Sequence, residues 1–271
     1  MPELPEVETT RRGIADAVTG HTIVAVKVRE RRLRWPLPAA FEAQLVGRRV
    51  LGVSRRAKYL LIELDRGTVL VHLGMSGSLR VLPASAPPKL HDHVDIELSS
   101  GQTVRYNDPR RFGSFHYVQG APHEHALLAR LGPEPLDLEF DAAYLHARAR
   151  RRRVAVKQFI MDSHVVVGVG NIYASEALFR AAVRPGRAAG RLSLAQAAAI
   201  VEAIRAVLTE AIAQGGTTLR DYVNADGLPG YFRQRLYVYE RDGEPCRRCR
   251  TPIRARVQGA RATYWCPACQ S

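Results

Sequence analysis

The feature that most constrains this chain is a pair of Cys-x2-Cys units near its end. Cys246 and Cys249 form the first unit, Cys266 and Cys269 form the second, and sixteen residues separate them. Four thiolates at this spacing can surround one tetrahedral Zn²⁺, and a site filled by four protein ligands has no open position for catalysis. The sequence therefore predicts one structural zinc ion; an iron site or free thiols are the alternatives.

The segment between the two cysteine units has the pattern of a β-hairpin. Ile253–Val257 and Arg261–Trp265 alternate on either side of Gln258-Gly259-Ala260. Arg261 then lies near the hairpin tip. A zinc-anchored hairpin with a basic tip suits a nucleic-acid groove, although composition alone leaves Arg261 as one more surface arginine.

The charge balance points to a polyanionic partner. The 271 residues include 40 Lys and Arg against 26 Asp and Glu, a formal net charge of +14. Such a field most often marks nucleic-acid binding, and a basic surface on an unrelated enzyme is the alternative. Only four of the basic residues are lysines, among them Lys58 and Lys157. Lysine can be tuned to lose its proton whereas arginine cannot, so chemistry that needs a titratable amine would retain lysine against this bias.

The sequence also predicts the compartment. No stretch approaches eighteen uncharged apolar residues, and the first residues, Met1 to Glu6, contain no apolar signal core. We expect a soluble, cytoplasmic protein, in which paired cysteines bind metal rather than form disulfides.

Hydrophobic periodicity divides the chain into a β-rich and a helical half. Apolar residues at helical spacing predict a helix over 6–19 that stops at Gly20. A β-sandwich or barrel should follow, with a linker over Gly120–Asp141 and helices from Ala142 to Gln214. The predicted strands are Thr22–Val28, Tyr59–Leu64, Thr68–Leu73, Leu79–Leu82, Val94–Leu98 and Thr103–Tyr106.

The N-terminus offers a candidate nucleophile. Methionine before proline is ordinarily removed, which leaves Pro2 as a secondary amine. With an α-amino pKa of about 7.8, roughly one molecule in seven is neutral at pH 7. Glu3 beside it could move protons. The alternative is that Pro2 stiffens the terminus while Glu3 and Glu6 complement a helix dipole.

Six separated motifs resemble those of bacterial formamidopyrimidine-DNA glycosylases over the full length of the chain. Besides the four-cysteine finger they are Pro2-Glu3-Leu4-Pro5-Glu6-Val7-Glu8-Thr9, Arg55-Arg56-Ala57-Lys58-Tyr59, His72-Leu73-Gly74-Met75-Ser76-Gly77, Asp108-Pro109-Arg110-Arg111-Phe112-Gly113 and Gly168-Val169-Gly170-Asn171-Ile172-Tyr173-Ala174-Ser175-Glu176. The resemblance implies a monomeric enzyme that excises oxidised purines from duplex DNA and cuts the strand by β,δ-elimination.

The resemblance also implies an α+β fold in three parts, with DNA bound across an interdomain cleft. We expect a catalytic β-sandwich with the N-terminal helix over residues 1–135, a helix-two-turns-helix domain over 136–236 and the zinc finger over 237–271.

The resemblance assigns roles to individual residues. Pro2 matches the Schiff-base nucleophile, Glu3 the acid that assists base loss, Lys58 the proton donor in β-elimination and Arg261 the finger arginine of δ-elimination. Because arginine keeps its proton, phosphate stabilisation is the physically safer role for Arg261. The implied DNA contacts are His91, Arg110, Arg152, Lys157 and Asn171, and the implied void-filling triad is Met75, Arg110 and Phe112.

The segment from about Gly215 to Pro229 matches the loop that closes over the flipped base. Arg220 stands there where the family has lysine, which keeps the charge but alters the geometry. Two alternatives remain open. An endonuclease VIII-like enzyme for oxidised pyrimidines would not need Met75, Arg110 and Phe112 together, and a non-catalytic DNA-binding protein would not need Pro2, Glu3 and Lys58.

Overall fold

The computed structural model describes residues 2–217 and 236–271, which belong to two compact units. The first unit comprises Met1–Ala129 and Gln214–Tyr231, and the second comprises Arg130–Ala213 and Phe232–Ser271. Arg220 and most of the predicted base-closing loop lie outside the described residues.

Helix α1, Leu4–Val18, opens the first unit. Its apolar residues recur at helical spacing, and Leu4, Val7, Ile14 and Val18 are at most 1% exposed. The helix begins two residues before the predicted position. The predicted stop is confirmed: Gly20 has φ +84°, a left-handed conformation that glycine adopts without a side-chain clash.

The β-rich half is a sandwich rather than a barrel, because its strands form two separate four-stranded antiparallel sheets. One sheet has the order β1-β6-β7-β5 and the other β2-β3-β4-β8. A short helix α2, Phe41–Leu45, joins their shared core. The strands are β1 Ile23–Val28, β2 Val50–Arg56, β3 Tyr59–Leu64, β4 Thr68–His72, β5 Ser78–Pro83, β6 Asp92–Leu98, β7 Gln102–Asn107 and β8 Ser114–Val118.

The six predicted strands are present, but β2 and β8 were not predicted. Gly52 interrupts β2, and Arg55 and Arg56 end it, so its apolar residues do not alternate clearly. In β2 only Val50 and Val53 are buried, and β8 carries His116 among its five residues. Both segments are strands because β2 pairs with β3 and β8 pairs with β4. A local sequence pattern does not predict such pairing.

The second unit is helical and ends in a two-stranded hairpin. In helix α5 every residue from Ile172 to Phe179 is buried. None of the helices among the described residues has the length and hydrophobicity needed to span a bilayer. The remaining elements are α3 Ala142–Ala149, α4 Val156–Ile160, α5 Asn171–Arg180, α6 Leu194–Ala213, the 3₁₀ turns Pro122–Glu124 (in the first unit) and Ala189–Arg191, and strands β9 Arg254–Gln258 and β10 Arg261–Trp265.

Candidate active site and nucleic-acid interface

The predicted nucleophile and its neighbouring acid lie at the N-terminus of α1. Pro2 is buried, and Glu3, 2% exposed, is the N-cap residue in extended conformation. The backbone N–H of Glu3 donates a hydrogen bond to Oε2 of Glu6, 2.8 Å away, as part of a capping box. The first turn of α1 therefore fixes the backbone that carries Pro2 and Glu3.

Glu6 also connects this N-terminus to a distant segment of the same unit. Its Oε1 accepts a hydrogen bond from the backbone N–H of Thr217 at 2.8 Å, and the side chain is only 2% exposed. Gly216 has φ +82°, and a Cβ there would lie 2.9 Å from Oε1 of Glu6. Sequence reasoning gave Glu6 only a dipole role, although the Glu3-x-x-Glu6 spacing of a capping box was available as a signal.

Lys58 lies in the tight turn between β2 and β3, next to Ala57 with φ +55°. Arg55 braces this turn. Its Nη1 donates to the carbonyl oxygen of Ala57 at 3.0 Å, and its Nε donates to Oε2 of Glu8 at 3.3 Å. Since Glu8 belongs to α1, a half-buried ion pair joins this helix to the turn that carries Lys58.

His72 is the titratable group beside Lys58 that sequence reasoning did not assign. Burial, together with the positive charges of Lys58 and Arg34, lowers its pKa to about 4. Its Nδ1 accepts a hydrogen bond from the backbone N–H of Gly74 at 3.0 Å, so the neutral ring carries its proton on Nε2. At neutral pH, therefore, His72 is an uncharged donor next to a charged lysine.

The predicted void-filling residues occupy two loops of the first unit. Phe112 is 43% exposed and Met75 is half-buried, so Phe112 is not a core residue. The guanidinium carbon of Arg110 lies 4.8 Å from the centre of the Phe112 ring, a cation–π contact. Arg110 and Phe112 thus present one continuous exposed surface.

The other predicted DNA contacts are divided between the units. His91, in the first unit, is half-buried with φ +69°. In the second unit Arg152 is exposed, and Asn171 is the first residue of α5. The Nδ2 of Asn171 donates to the hydroxyl of Tyr239 at 3.4 Å, and its buried Oδ1 has no hydrogen-bond partner in the described part of the chain.

Lys157 and Arg261 lie in the second unit, around the hairpin tip. Arg261 is exposed and pairs with Gln258 at the turn, as the sequence predicts. Lys157 is only 1% exposed, and its Nζ donates to the carbonyl oxygen of Ala262 at 2.8 Å and to Oγ1 of Thr263 at 2.9 Å. This geometry makes Lys157 a brace for the hairpin; the DNA contact expected of it stays a prediction.

The four cysteines converge at the base of the same hairpin, with their sulfurs all within 4.8 Å of one another. The Sγ atoms of Cys246 and Cys269 are 3.9 Å apart, and those of Cys249 and Cys266 are 3.4 Å apart. A tetrahedral Zn²⁺ with Zn–S bonds of about 2.3 Å requires S···S separations of about 3.8 Å. The donor set therefore fits one zinc ion.

Comparison with known proteins assigns the family. Family models match residues 1–115 to the formamidopyrimidine-DNA glycosylase N-terminal domain, 131–223 to its H2TH domain and 243–271 to a zinc finger found in FPG and IleRS. A formamidopyrimidine-DNA glycosylase of Thioalkalivibrio sulfidiphilus is 62% identical over 270 residues, which cover 100% of both chains. The chain belongs to the formamidopyrimidine-DNA glycosylase family.

Solved structures agree with this formamidopyrimidine-DNA glycosylase assignment. The crystal structure of the MutM (Fpg) protein of Thermus thermophilus has a TM-score of 0.88 and 41% identity, covering 99% of this chain and 98% of its own. A variant Fpg of Lactococcus lactis, in complex with a Fapy-dG containing DNA, has a TM-score of 0.93 and 30% identity over 100% of both chains.

Several predictions from the sequence are thereby confirmed. The fold class and the structural zinc site agree with the family models and the cysteine geometry. The chain is a DNA glycosylase with AP lyase activity that serves base-excision repair of oxidised purines. The roles of individual residues and the three domain boundaries stay predictions.

Proposed function

We propose that Pro2, Glu3 and Lys58 carry out base excision and strand cleavage on duplex DNA that contains oxidised purines. The family supplies the class of reaction. The observation that carries the residue assignment is the buried Pro2-Glu3 pair at the N-cap of α1, held by Glu6. Once Met1 is removed, Pro2 is a secondary amine that needs no strongly shifted pKa to be partly neutral at pH 7.

Bond formation and cleavage follow from the chemistry of that amine. The neutral nitrogen of Pro2 attacks the sugar C1′, and the bonding electrons between C1′ and the base leave with the base. Glu3 accepts the proton that the nitrogen loses and delivers it to the ring oxygen as the sugar opens, so that an iminium ion links Pro2 to C1′. The iminium acidifies C2′, so loss of a C2′ proton expels the 3′-phosphate, and a second elimination expels the 5′-phosphate.

Lys58 moves protons during these eliminations. Its turn is tied to α1 through Arg55 and Glu8, which holds the lysine at a fixed position relative to the helix that begins with Pro2. His72, with its pKa lowered to about 4, stays neutral beside it. His72 therefore adds no positive charge to that of Lys58, which can attract a phosphate.

Reaching C1′ requires that the damaged nucleotide leave the base stack. Phe112, 43% exposed, wedges into the vacated step together with Met75, and Arg110 hydrogen-bonds the orphaned cytosine. Contacts to the DNA backbone come from His91, Arg152, Asn171 and the finger arginine Arg261. Arg261 stabilises phosphate charge rather than transferring a proton.

The alternatives are less well supported. A non-catalytic DNA-binding protein would have no use for a buried Pro2-Glu3 pair coupled to Lys58. An endonuclease VIII-like preference for oxidised pyrimidines is not favoured by the family assignment or by the exposed Arg110-Phe112 surface. We further propose that the enzyme acts as a monomer on chromosomal DNA in the cytoplasm, a compartment that keeps the zinc-binding thiols reduced.

Borohydride trapping on an 8-oxoguanine duplex tests the proposal. The parent enzyme, with removal of Met1 verified by mass, should give a covalent DNA adduct that maps to Pro2. A matched protein with one extra residue before Pro2 has an amide at that nitrogen and should give none. An adduct on Lys58, or equal trapping by the extended protein, would show that another group is the nucleophile.

A further inference from the structure

Asp108 is a buried carboxylate that the chemistry above does not use. It follows β7 directly, is 0% exposed, and begins the loop that carries Arg110 and Phe112. Its backbone N–H donates to the carbonyl oxygen of His91 at 3.1 Å, and its own carbonyl oxygen contacts Nε2 of His93 at 2.8 Å. The residue is therefore fixed at both its main chain and its side chain.

The carboxylate accepts hydrogen bonds from two separate loops. Oδ1 accepts from the hydroxyl of Ser76 at 2.8 Å and from the backbone N–H of Arg110 at 3.3 Å. Oδ2 accepts from the hydroxyl of Tyr106 and from the backbone N–H of Gly113, both at 2.9 Å. Ser76 follows Met75 in one loop, whereas Arg110 and Gly113 bracket Phe112 in the other. One carboxylate thus joins the loops that carry all three void-filling residues.

Glycines allow these loops to close around the Tyr106 hydroxyl. A Cβ on Gly113 would lie 1.7 Å from that oxygen, and a Cβ on Gly77 would lie 2.6 Å from it. Gly74 has φ +69°, and a Cβ there would lie 2.4 Å from the backbone nitrogen of Gly113. The two loops approach each other too closely for a Cβ at these positions, so displacement of one should displace the other.

The loop tip is held in a conformation that needs such support. Arg111, between Arg110 and Phe112, has φ +56°, a left-handed conformation that is unfavourable for a residue with a side chain. Its backbone N–H donates to the carbonyl oxygen of Asp108 at 3.2 Å. This turn brings Arg110 and Phe112 to the same side, where their side chains stack.

We infer that Asp108 is a positioning residue for opposite-base recognition, because it holds the Met75 loop and the Arg110-Phe112 loop as one rigid wedge. The inference rests on the proposed function of those three residues. A carboxylate suits this role because it only accepts hydrogen bonds and can serve four donors at once. An asparagine side chain has the same size, but it would turn an amide N–H₂ toward one of these donors and so break a hydrogen bond that joins the loops.

The test compares Asp108→Asn with Asp95→Asn. Asp95 is an equally buried carboxylate of the same unit, 1% exposed, but it pairs with Arg105 in the sheet at 2.8 Å. For each variant we would measure single-turnover excision of 8-oxoguanine opposite cytosine and opposite adenine, and borohydride trapping at an abasic site in single-stranded DNA. Trapping reports the Pro2 chemistry without a requirement for an opposite base.

Asp108→Asn should reduce the preference for cytosine over adenine by roughly 5- to 150-fold, the range for a lost base contact, as Arg110→Ala should. The double variant Asp108→Asn/Arg110→Ala should lose no more of the cytosine preference than Arg110→Ala alone. Asp95→Asn should keep the preference even if its melting temperature falls. Tyr106→Phe and Ser76→Ala, which each remove one donor, give the same comparison if Asp108→Asn does not fold.

An unchanged cytosine preference in Asp108→Asn, or in both Tyr106→Phe and Ser76→Ala where it does not fold, would overturn the inference. An equal loss of the cytosine preference in Asp95→Asn would also overturn the inference, because general destabilisation would then explain the effect. Failure of the proposed function is distinguishable, because Arg110→Ala would then also keep the cytosine preference. The parent enzyme would give no adduct at Pro2 on the single-stranded abasic DNA if the proposed nucleophile were wrong.

Discussion

The Nζ of Lys157 donates a hydrogen bond to the carbonyl oxygen of Ala262, 2.8 Å away, at the residue that follows Arg261. The start of α4 thereby holds the zinc-finger hairpin at its tip. Gln158 reinforces this contact, because a Cβ on Gly259 would lie 1.9 Å from its Nε2. A lysine singled out by its scarcity in the sequence thus fixes the position of a second predicted functional residue.

Lys157→Met should therefore lower the rate of strand cleavage, because Arg261 would no longer be held in position. The variant leaves the Ala262 carbonyl and the Thr263 hydroxyl without their donor, at a cost of about 1–3 kcal/mol in the stability of the hairpin. Single-turnover cleavage would be measured for Lys157→Met, Arg261→Ala and the double variant. If Lys157 acts only through Arg261, the double variant matches Arg261→Ala. Additive losses would instead support a separate DNA contact by Lys157.

His72 should make the stability of the first unit depend on pH. Its pKa is about 4 in the folded enzyme and about 6.5 when unfolded. Below pH 6.5 His72 binds a proton in the unfolded chain but not in the folded chain. The free energy of unfolding therefore falls as the pH drops from 6.5 to 4, and the contribution of His72 stays constant below pH 4. The full shift corresponds to about 3 kcal/mol.

Urea unfolding of the parent and His72→Gln across this pH range measures the effect. Glutamine can still accept from the Gly74 N–H but does not titrate, so the stability of the variant should decline less steeply between pH 6.5 and 4. Parallel curves would show that other groups, and not His72, carry the pH dependence.

Zinc removal should unfold the region from Gly243 onward while the first unit stays folded. The finger has a small core, in which Cys246, Ile253 and Cys266 pack with Phe179 of α5. Trp265 is 6% exposed there, and the only other tryptophan is Trp35. In a Trp35→Phe variant the fluorescence therefore reports the finger alone, and chelation should shift it to that of an exposed indole.

Zinc content near one per chain should accompany the folded state, and readdition of Zn²⁺ should restore both fluorescence and strand cleavage. Full cleavage activity after complete chelation, with Trp265 exposed, would contradict a role for Arg261 in the reaction.

The sequence was sufficient for the elements whose pattern is local. Tyr59–Leu64 is a short run with one charged residue among apolar ones and was predicted at its observed bounds, and the cysteine spacing predicted the zinc site. Strand β2 was missed because Gly52 and its terminal arginines hide the alternation, and only pairing with β3 makes it a strand.

Within the site, sequence reasoning could identify reactive residues but not the residues that position them. Asp108 belongs to one of the motifs that resemble the family, yet its partner Ser76 lies 32 positions away. Lys157 is one of only four lysines in the sequence, but its acceptor is 105 residues further along the chain. Burial and hydrogen-bond partners at such separations depend on the fold, which no local pattern encodes.

The exposed Arg110-Phe112 pair should separate lesion repair from simple DNA binding. If Phe112 replaces the stacking lost when the nucleotide leaves the helix, a contact worth roughly 1–3 kcal/mol, then Phe112→Ala should slow excision from intact duplex. The same variant should process a substrate that is already unstacked at nearly the rate of the parent enzyme, because no vacated step needs filling.

Arg110→Ala should weaken discrimination between cytosine and adenine opposite the lesion rather than the step in which the nucleotide leaves the base stack. Loss of a hydrogen-bonded base contact typically costs about 1–3 kcal/mol, so the preference for cytosine over adenine opposite the lesion should erode by that amount. Because the guanidinium of Arg110 lies 4.8 Å from the Phe112 ring, the two residues should be coupled, and the double variant should lose less than the sum of the single losses. Single-turnover excision opposite each base, for the parent and the three variants, measures both effects. Unchanged rates and an unchanged cytosine preference would mean that Arg110 and Phe112 contact only the DNA backbone, and that lesion selection depends on other residues.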